Sequence, residues 1–234
     1  LNEELEATNR ELAAATREAA LSQERLAFLS HASQVLASSL DYDATLRAVA
    51  SLAVERLADW CVVELLEDGG MAPIRVVAHR DPARLAWAEE VGRRYPDDPD
   101  ASTGAPAVRR TGRSEFYPEI PDELLVAAAR DESHLAVLRQ VGFRGVIIVP
   151  VPVGGRTAGT IAFVAAESGR RYTEADLALA EDLGRRAGAA VENAELLRAT
   201  RRAGERARQL SAFAAALNQA AGMDGVARAC VVHG

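Results

Sequence analysis

A heptad stripe through residues 1–40 is the feature that most restricts how this chain folds. Apolar and small residues recur there at alternating spacings of four and three, and no glycine or proline interrupts them. A stripe kept over this length predicts a helix that pairs with another helix along a seam. Forty helical residues extend about 60 Å, far more than the core of one small domain requires. The predicted seam residues here are Leu5, Leu12, Ala15, Ala19 and Leu26.

A second stripe begins beyond residue 195, where Leu196, Ala203 and Leu210 lie at heptad spacing. It predicts a second paired helix that leaves the domain. Small and polar seam residues pack weakly, so such a seam can shift register. That property suits a helix that transmits a signal better than one that only holds domains apart. The interpretation therefore divides the chain into four segments: a coiled-coil linker helix over residues 1–25, a globular domain over 26–198, an exit helix over 199–217 and the start of a following domain over 218–234.

Residues 210–234, which include the last of these segments, repeat the helix–turn–helix pattern of residues 29–58. The repetition predicts that another copy of the domain starts here. The chain opens on Leu1 and stops at Gly234, partway through this element. We therefore expect a fragment of a longer protein, whose output domain lies outside it.

Between the two stripes the period changes to that of β-strands. Residues 60–66 and 74–78 flank a glycine turn at Asp68-Gly69-Gly70, and residues 146–153 and 157–165 flank Gly154-Gly155. Both patterns predict antiparallel hairpins, the second with a tight turn of two residues at positive φ. Pro150 and Pro152 cannot donate ladder hydrogen bonds, which predicts an edge or a bend there. Residues 113–117 predict one more short strand.

Helix signals surround these strands. Asp41 is the predicted cap of a second helix, and Thr173 is the predicted cap of the last one. Within residues 80–144, short helices are predicted to start at Asp81, Asp122 and Asp131, and residues 95–104 are predicted to form a solvated loop. Antiparallel hairpins with helices at both ends and a helical insertion define an α+β domain.

The amino-acid composition limits which partners and which compartment are expected. The formal net charge of −7 argues against nucleic acid as a main partner, because a phosphate backbone selects for a basic surface. No run of about 18 apolar residues is present, so no membrane-spanning helix is predicted. The two cysteines, Cys61 and Cys230, are far apart and have no metal-ligand spacing, which suits a reducing cytoplasm.

Several residues resemble the GAF domain family. The family's second half contains a "VPL" strand, a "G-x-L" strand and a helix that ends in "N-A-x-L"; this chain supplies Val149-Pro150-Val151, Gly159-Thr160-Ile161 and Asn193-Ala194-Glu195-Leu196. Val151 and Ile161 replace the family's leucines by other apolar residues. Residues 37–43 and 58–61 resemble the opening of GAF domains in bacterial kinases and phosphatases. The resemblance covers residues 24–198.

The resemblance implies a six-stranded antiparallel sheet with the first and last helices on one face. It implies that residues 80–144 close a ligand pocket on the other face. The leading helix resembles linkers that follow PAS domains, which implies an upstream PAS-like domain and a downstream output domain such as a histidine kinase or a serine phosphatase.

An aromatic pocket is the candidate ligand site. Rings are concentrated in or beside the insertion, and small ligands are commonly held by rings with a few polar groups. The candidate pocket residues are Trp87, Tyr95, Phe116, Tyr117, His134 and Phe143. The alternative is that these rings only anchor the insertion to the sheet. His134 is a candidate haem ligand, against which we weigh a surface or capping role.

No catalytic motif occurs, and no catalytic or metal-ligating residue is predicted. Cys61 suggests GAF-type methionine sulfoxide reductases, which need several cysteines near the pocket, so packing is the favoured role. His31 lacks the neighbouring acid and proline of a kinase phosphoacceptor. The acidic residues at 97, 98 and 100 lack ordered calcium-ligand spacing.

Three functions follow from these observations. The first is a non-catalytic sensor that forms a parallel homodimer in the cytoplasm and takes an unknown small molecule, or strain from upstream, as its input. The second is a ligand-free dimerisation spacer. The third is a redox enzyme of the methionine sulfoxide reductase type, for which the residues are lacking.

Overall fold

The structure is a computed structural model that describes residues 2–38, 42–66 and 74–232 of the 234-residue chain. It divides into two compact units, residues 1–192 and residues 193–234. The first unit begins with two helices, α1 (Asn2–Ser38) and α2 (Tyr42–Arg56). Helix α1 confirms the long leading helix predicted by the heptad stripe. The predicted cap Asp41 lies outside the described residues.

Five antiparallel strands form one sheet: β1 (Trp60–Leu65), β2 (Ile74–His79), β3 (Glu115–Tyr117), β4 (Gly145–Val153) and β5 (Arg156–Ala165). Their order across the sheet is β2-β1-β5-β4-β3. These are the strands that the residue patterns predict. A sixth strand, which only the family resemblance implied, is absent from the described residues, because the described part of the chain between β2 and β3 forms helices and loops.

The β4–β5 hairpin follows the predicted turn chemistry. Gly154 and Gly155 have φ angles of 57° and 79°, a region that glycine enters without a steric penalty. Strand β3 pairs only with residues 146–148 of β4, so Pro150 and Pro152 lie beyond its end, at an edge. A register shift between Val151 and Pro152 also bends the strand. Both consequences predicted for the two prolines therefore occur.

One face of the sheet carries the main core. Alternate residues of the strands point toward α1, α2 and the last helix, α7 (Glu174–Val232). The largest side chains that are fully buried in this core are Phe163, Leu46, Leu57, Leu65, Ile147, Ile161 and Leu183. The first and last helices thus lie on the same face, as the resemblance implied.

The other face of the sheet is covered by the segment between β2 and β4, and we call it the insertion face. A 3-10 turn (Pro82–Arg84) leads into α3 (Leu85–Arg94), and α5 (Asp122–Ala128) and α6 (Glu132–Val141) follow later. Asp81 and Asp131 cap their helices through side-chain oxygens, and Gly142 ends α6 in the left-handed region. These starts and stops confirm the predicted helices.

Helix α4 (Gly104–Thr111) was not predicted. It has only eight residues, too few for a helical period to stand out from its surroundings. Its residues Ala107 and Val108 are buried, and the helix packs on β4 and β5. Tertiary packing therefore stabilises a helix that local signals do not announce.

Helix α7 starts with a reciprocal cap. The Asp176 carboxylate accepts from the Thr173 backbone N–H at 2.8 Å, and the Thr173 hydroxyl accepts from the Asp176 backbone N–H at 3.3 Å. The helix then continues to Val232. The turn predicted within the C-terminal stretch is therefore not observed, because the helix runs through it, and the start of a following domain over residues 218–234 stays a prediction.

Two glycines of α7 lie directly on β4. A Cβ atom built on Gly184 would lie 2.7 Å from the carbonyl oxygen of Pro150, and one built on Gly188 would overlap the carbonyl oxygen of Pro152. These two oxygens belong to the part of β4 that β3 does not reach. The glycines thus let the helix cover an unpaired stretch of the sheet edge. Exposed N–H and C=O groups at such an edge can otherwise pair with a strand of another chain.

Candidate functional site

Trp60 is the centre of a small cluster on the insertion face. Its ring lies 3.9 Å from the ring of His79 and 5.9 Å from that of Trp87, measured between centroids. Phe143, two residues before β4, packs on the same cluster, as do several small apolar residues of the sheet. The structure therefore brings two predicted pocket residues, Trp87 and Phe143, around a tryptophan that sequence reasoning had not singled out.

His79 is held as a buried polar member of this cluster. Its Nδ1 lies 2.8 Å from the Asp81 backbone nitrogen and 3.0 Å from the Asp81 carbonyl oxygen, so Asp81 holds this edge of the ring in either tautomer. Its Nε2 faces the Glu167 carboxylate at 3.4 Å, and Arg84 pairs with the same carboxylate. The indole N–H of Trp60 is buried with no hydrogen-bond partner in the described part of the chain. The cluster thus combines aromatic surface with polar hydrogens.

Tyr95 and His134 form a separate pair. Their rings stack with centroids 4.4 Å apart and planes 17° from parallel. The Arg130 backbone N–H donates to His134 Nδ1 at 3.2 Å, and the His134 backbone N–H donates to the Asp131 cap at 2.7 Å. Burial, assisted by the Arg130 charge, lowers the pKa of His134. His134 is therefore both a capping-turn residue and a stacked ring, which favours the alternative to haem ligation.

The Tyr117 side chain makes a hydrogen bond within its own strand, β3, rather than a contact with another ring. Its hydroxyl donates to the Glu115 carboxylate at 3.0 Å, and the Gly104 backbone N–H donates to the same oxygen at 2.7 Å. Burial raises the pKa of Tyr117 to about 12, and the Glu115 carboxylate adds to the effect. The two residues fasten the start of α4 to β3.

Phe116 lies on the other side of the sheet. It packs against the main core, because neighbouring residues of a strand point to opposite faces. The six predicted pocket residues therefore make four kinds of contact: two join Trp60, two stack on each other, one binds Glu115 and one packs against the main core.

Glu64 is a carboxylate enclosed on the insertion face, with 12% of its side chain exposed. It follows two valines of β1, and its carboxylate lies 3.3 Å from the Arg75 guanidinium and 4.0 Å from that of Arg109. Burial raises its pKa, the Asp97 charge adds to the rise, and the two arginines oppose it. Sequence reasoning missed this residue, although a lone charge within an apolar strand was a usable signal.

Replacing Glu64 by glutamine is expected to change the pH dependence of stability. A raised carboxyl pKa means that the folded state binds the proton more tightly, so ionisation costs stability as the pH rises above 4.5, the ordinary value. Glu64→Gln should therefore gain stability relative to the parent above that pH and lose this advantage below it. Urea unfolding over a pH series measures the difference, and a difference that does not change with pH would contradict the assignment.

The remaining candidate residues have structural positions. Cys61 is a fully buried free thiol in the main core, and burial raises its pKa far above the ordinary value, which disfavours the reactive thiolate. His31 is exposed on α1. Asp98 accepts from the backbone N–H of Asp100 at 3.1 Å in an exposed turn. Within the described residues, no group of three or more metal-binding side chains occurs.

The predicted seam residues are exposed in the single chain. Leu12 and Leu26 of α1 are each 65% exposed, and Leu196 and Leu210 of α7 are 61% and 70% exposed. Ala15, Ala19 and Ala203 are exposed as well, and the side chain of Leu5 lies outside the described residues. None of the helices in the described part of the chain combines the length and apolar character needed to span a membrane.

Known proteins agree with this fold. The sequence pattern of the GAF domain matches residues 41–191, so the chain belongs to the GAF domain family. The GAF domain of a phosphoenolpyruvate-protein phosphotransferase from Coxiella burnetii is 16% identical with a TM-score of 0.55, and the match covers 75% of this chain and 96% of that one. No curated protein sequence matches the chain.

Two further structures are similar. The corresponding GAF domain from Acinetobacter is 14% identical with a TM-score of 0.54 and covers 74% and 95% of the two chains. A GAF domain from Synechocystis, solved in its photoproduct state, is 19% identical with a TM-score of 0.50 and covers 68% and 99%. At these identities the likeness concerns the fold alone.

Proposed function

We propose that this chain is a non-catalytic regulatory module of a cytoplasmic signalling protein, which forms a parallel homodimer and relays a signal through α1 and α7. The observation that carries the proposal is the way both helices join one core. Phe28 and Leu29 of α1 are buried in the same cluster as Leu183 and Ala187 of α7. A displacement of the sheet, or of either helix, therefore strains the packing of the other elements in this core.

Polar contacts strengthen this connection. The Arg186 guanidinium of α7 donates to the Ser33 hydroxyl of α1. The Ser114 hydroxyl, just before β3, donates to the Glu181 carboxylate of α7 at 2.8 Å. The glycine contacts with β4 make α7 a direct neighbour of the strand backbone. Packed elements of this kind transmit small displacements because they do not deform continuously.

The exposed seam supports self-association. Large apolar residues at heptad positions of both helices face solvent in the single chain, an arrangement that a second copy aligned in the same direction would bury. In the proposed assembly an upstream PAS-like domain delivers strain to α1, and an output domain of the kinase or phosphatase type receives it beyond α7.

Substituting Ala15 by glutamate is expected to weaken the dimer. A carboxylate from each copy would enter the seam, which should raise the dissociation constant at least about tenfold, roughly 1.4 kcal/mol. Ala14→Glu is the matched control, because Ala14 is also exposed on α1 but lies off the stripe. Sedimentation equilibrium of the three proteins measures the effect. Equal dissociation constants for the two variants would reject this seam.

The signal we propose for the module is a small molecule held at the insertion face. Support comes from the partly apolar Trp60 cluster with its unpaired N–H and from the enclosed Glu64 carboxylate between two arginines. Such a mixture of rings and a few polar groups is typical of small-ligand sites.

A ligand-free spacer is the second candidate function, and one observation favours it. Tyr95 and His134 stack on each other, so these two rings already satisfy one another without a guest. Native mass spectrometry of freshly purified protein separates the candidates. A dimer with an additional small mass supports the sensor, a clean dimer supports the spacer, and a monomer contradicts both.

A further inference from the structure

A cleft opens at one end of the sheet, beside the Trp60 cluster. Three loops form it: the one that follows β3, the one that precedes β4 and the one between β5 and α7. Its volume is about 520 Å³, within the range of small-molecule sites. Its lining includes Glu119, Ile120, Phe143, Arg144, Arg171 and Tyr172.

The floor of this cleft is held in place by buried contacts. The Asp59 carboxylate accepts from the backbone N–H groups of Ala166 and Ser168 at 2.8 and 3.0 Å and from the Ser168 hydroxyl at 2.6 Å. Tyr172 is 3% exposed, and a Cβ atom built on Gly145 would lie 3.1 Å from the carbonyl oxygens of Tyr117 and Pro118 and 3.2 Å from the Tyr172 ring, so these groups pack closely. A cleft with a fixed floor loses little conformational entropy when a ligand binds.

The walls carry two arginines that no group within residues 2–38, 42–66 and 74–232 pairs with. The guanidinium groups of Arg144 and Arg171 have no hydrogen-bond or ion-pair partner in the described part of the chain. Glu167 also borders the cleft, but Arg84 and His79 already engage it. Glu119 is the remaining carboxylate of the lining and has no described partner. The two free guanidinium groups therefore outnumber the single free carboxylate.

We infer that this cleft binds a small ligand with a flat apolar body and a carboxylate or phosphate group. Arginine donates paired N–H groups that match the geometry of both oxyanions. Phe143 offers ring surface and Ile120 an aliphatic contact for the apolar body. The cleft adjoins the Trp60 cluster through Phe143 and Ala166, and it borders residues 169–172, which lead directly into α7 at Glu174. A ligand in the cleft would thus contact the segment that leads into α7.

The test uses phenyl phosphate as the probe and benzyl alcohol as its uncharged counterpart. Titration calorimetry of the whole chain gives the affinity. Tryptophan fluorescence gives a second readout, because Phe143 and Ala166 belong both to the cleft and to the Trp60 cluster. We expect phenyl phosphate to bind with a millimolar or tighter dissociation constant, and benzyl alcohol to bind at least about tenfold more weakly, since it offers no charge-assisted hydrogen bond.

Three exposed positions make the test specific. Arg144→Gln and Arg171→Gln should each weaken binding about tenfold, because each removes one charge-assisted contact, whereas Glu119→Gln should tighten it severalfold. Arg93→Gln, on the exposed surface of α3, should leave the affinity unchanged. All four side chains are exposed, so thermal unfolding should confirm that the variants fold normally.

The inference would be overturned by three results: no binding of phenyl phosphate at millimolar concentration, equal binding of benzyl alcohol, or an affinity that none of the cleft variants changes. None of these results bears on dimer formation, so failure here is distinguishable from failure of the proposed relay.

Discussion

Replacing Gly188 by alanine is expected to destabilise the first unit by about 3 kcal/mol, the upper end of typical overpacking costs. Alanine favours a helix over glycine by roughly 1 kcal/mol, so intrinsic propensity predicts the opposite sign. The loss arises because the new methyl group would overlap the Pro152 carbonyl oxygen, which is backbone and cannot rotate away. Helix α7 would then have to lift from β4. Urea unfolding followed by circular dichroism measures the change.

Gly204→Ala is the matched control on the same helix. A Cβ atom built there meets nothing within 4 Å, so the substitution should stabilise the helix by up to about 1 kcal/mol. Gly184→Ala should have an intermediate effect, since its nearest contact is 2.7 Å. If Gly188→Ala were as stable as Gly204→Ala, α7 would not be seated on β4, and the proposed route from sheet to helix would lose its main contact.

Asp59→Asn is expected to cost about 3 kcal/mol at neutral pH, because hydrogen bonds to a buried charged group contribute roughly 1.5–3 kcal/mol each and an amide oxygen replaces them only in part. The carboxylate accepts three hydrogen bonds from Ala166 and Ser168, and Asp59 is 2% exposed. The loss should appear as a lower urea midpoint and as loosening of the β5–α7 loop.

The same substitution has a predicted pH signature. Burial alone would raise the pKa of Asp59, but the hydrogen bonds from Ser168 and Ala166, with the charge of Arg80, lower it below the ordinary 3.8. A lowered pKa means that the ionised form stabilises the fold above 3.8 and that this contribution disappears as the pH falls through the folded-state value. The gap between Asp59→Asn and the parent should therefore close in acid.

Asp122→Asn serves as the control for Asp59. Its carboxylate pairs with Arg139 on the exposed surface, where ion pairs contribute little, so the variant should unfold at nearly the same urea midpoint as the parent. A pH-independent gap for Asp59→Asn would contradict the assigned role of the carboxylate.

Local chemistry made much of the fold predictable. Gly154-Gly155 set the second hairpin because few residues other than glycine tolerate positive φ. Asp81, Asp131, Thr173 and Gly142 marked helix ends because their hydrogen bonds and backbone angles are local. Helix α4 was missed because its stability comes from burial of Ala107 and Val108 against the sheet, a contact that no local pattern encodes.

The candidate site was less predictable for a related reason. Aromatic content located the insertion, but it does not say which rings meet. Phe116 and Tyr117 are neighbours in sequence and point to opposite faces of the sheet. Trp60 and His79 come together only because β1 and β2 pair directly across those two residues. Register is a long-range property, so the Trp60 cluster could be found only in the folded chain.

The central claim is that α1 and α7 each pair in parallel with the same helix of a second copy. The distance between identical residues of the two copies tests it most directly. Spin labels on Glu18→Cys in α1 and on Arg201→Cys in α7, each in a Cys230→Ser background, would report that distance by double electron–electron resonance. Cys61 is fully buried and should not react with the label. A parallel dimer predicts a short distance at both positions, because paired helix axes lie only about 10 Å apart. A long distance at either position, or no dipolar coupling, would contradict the relay.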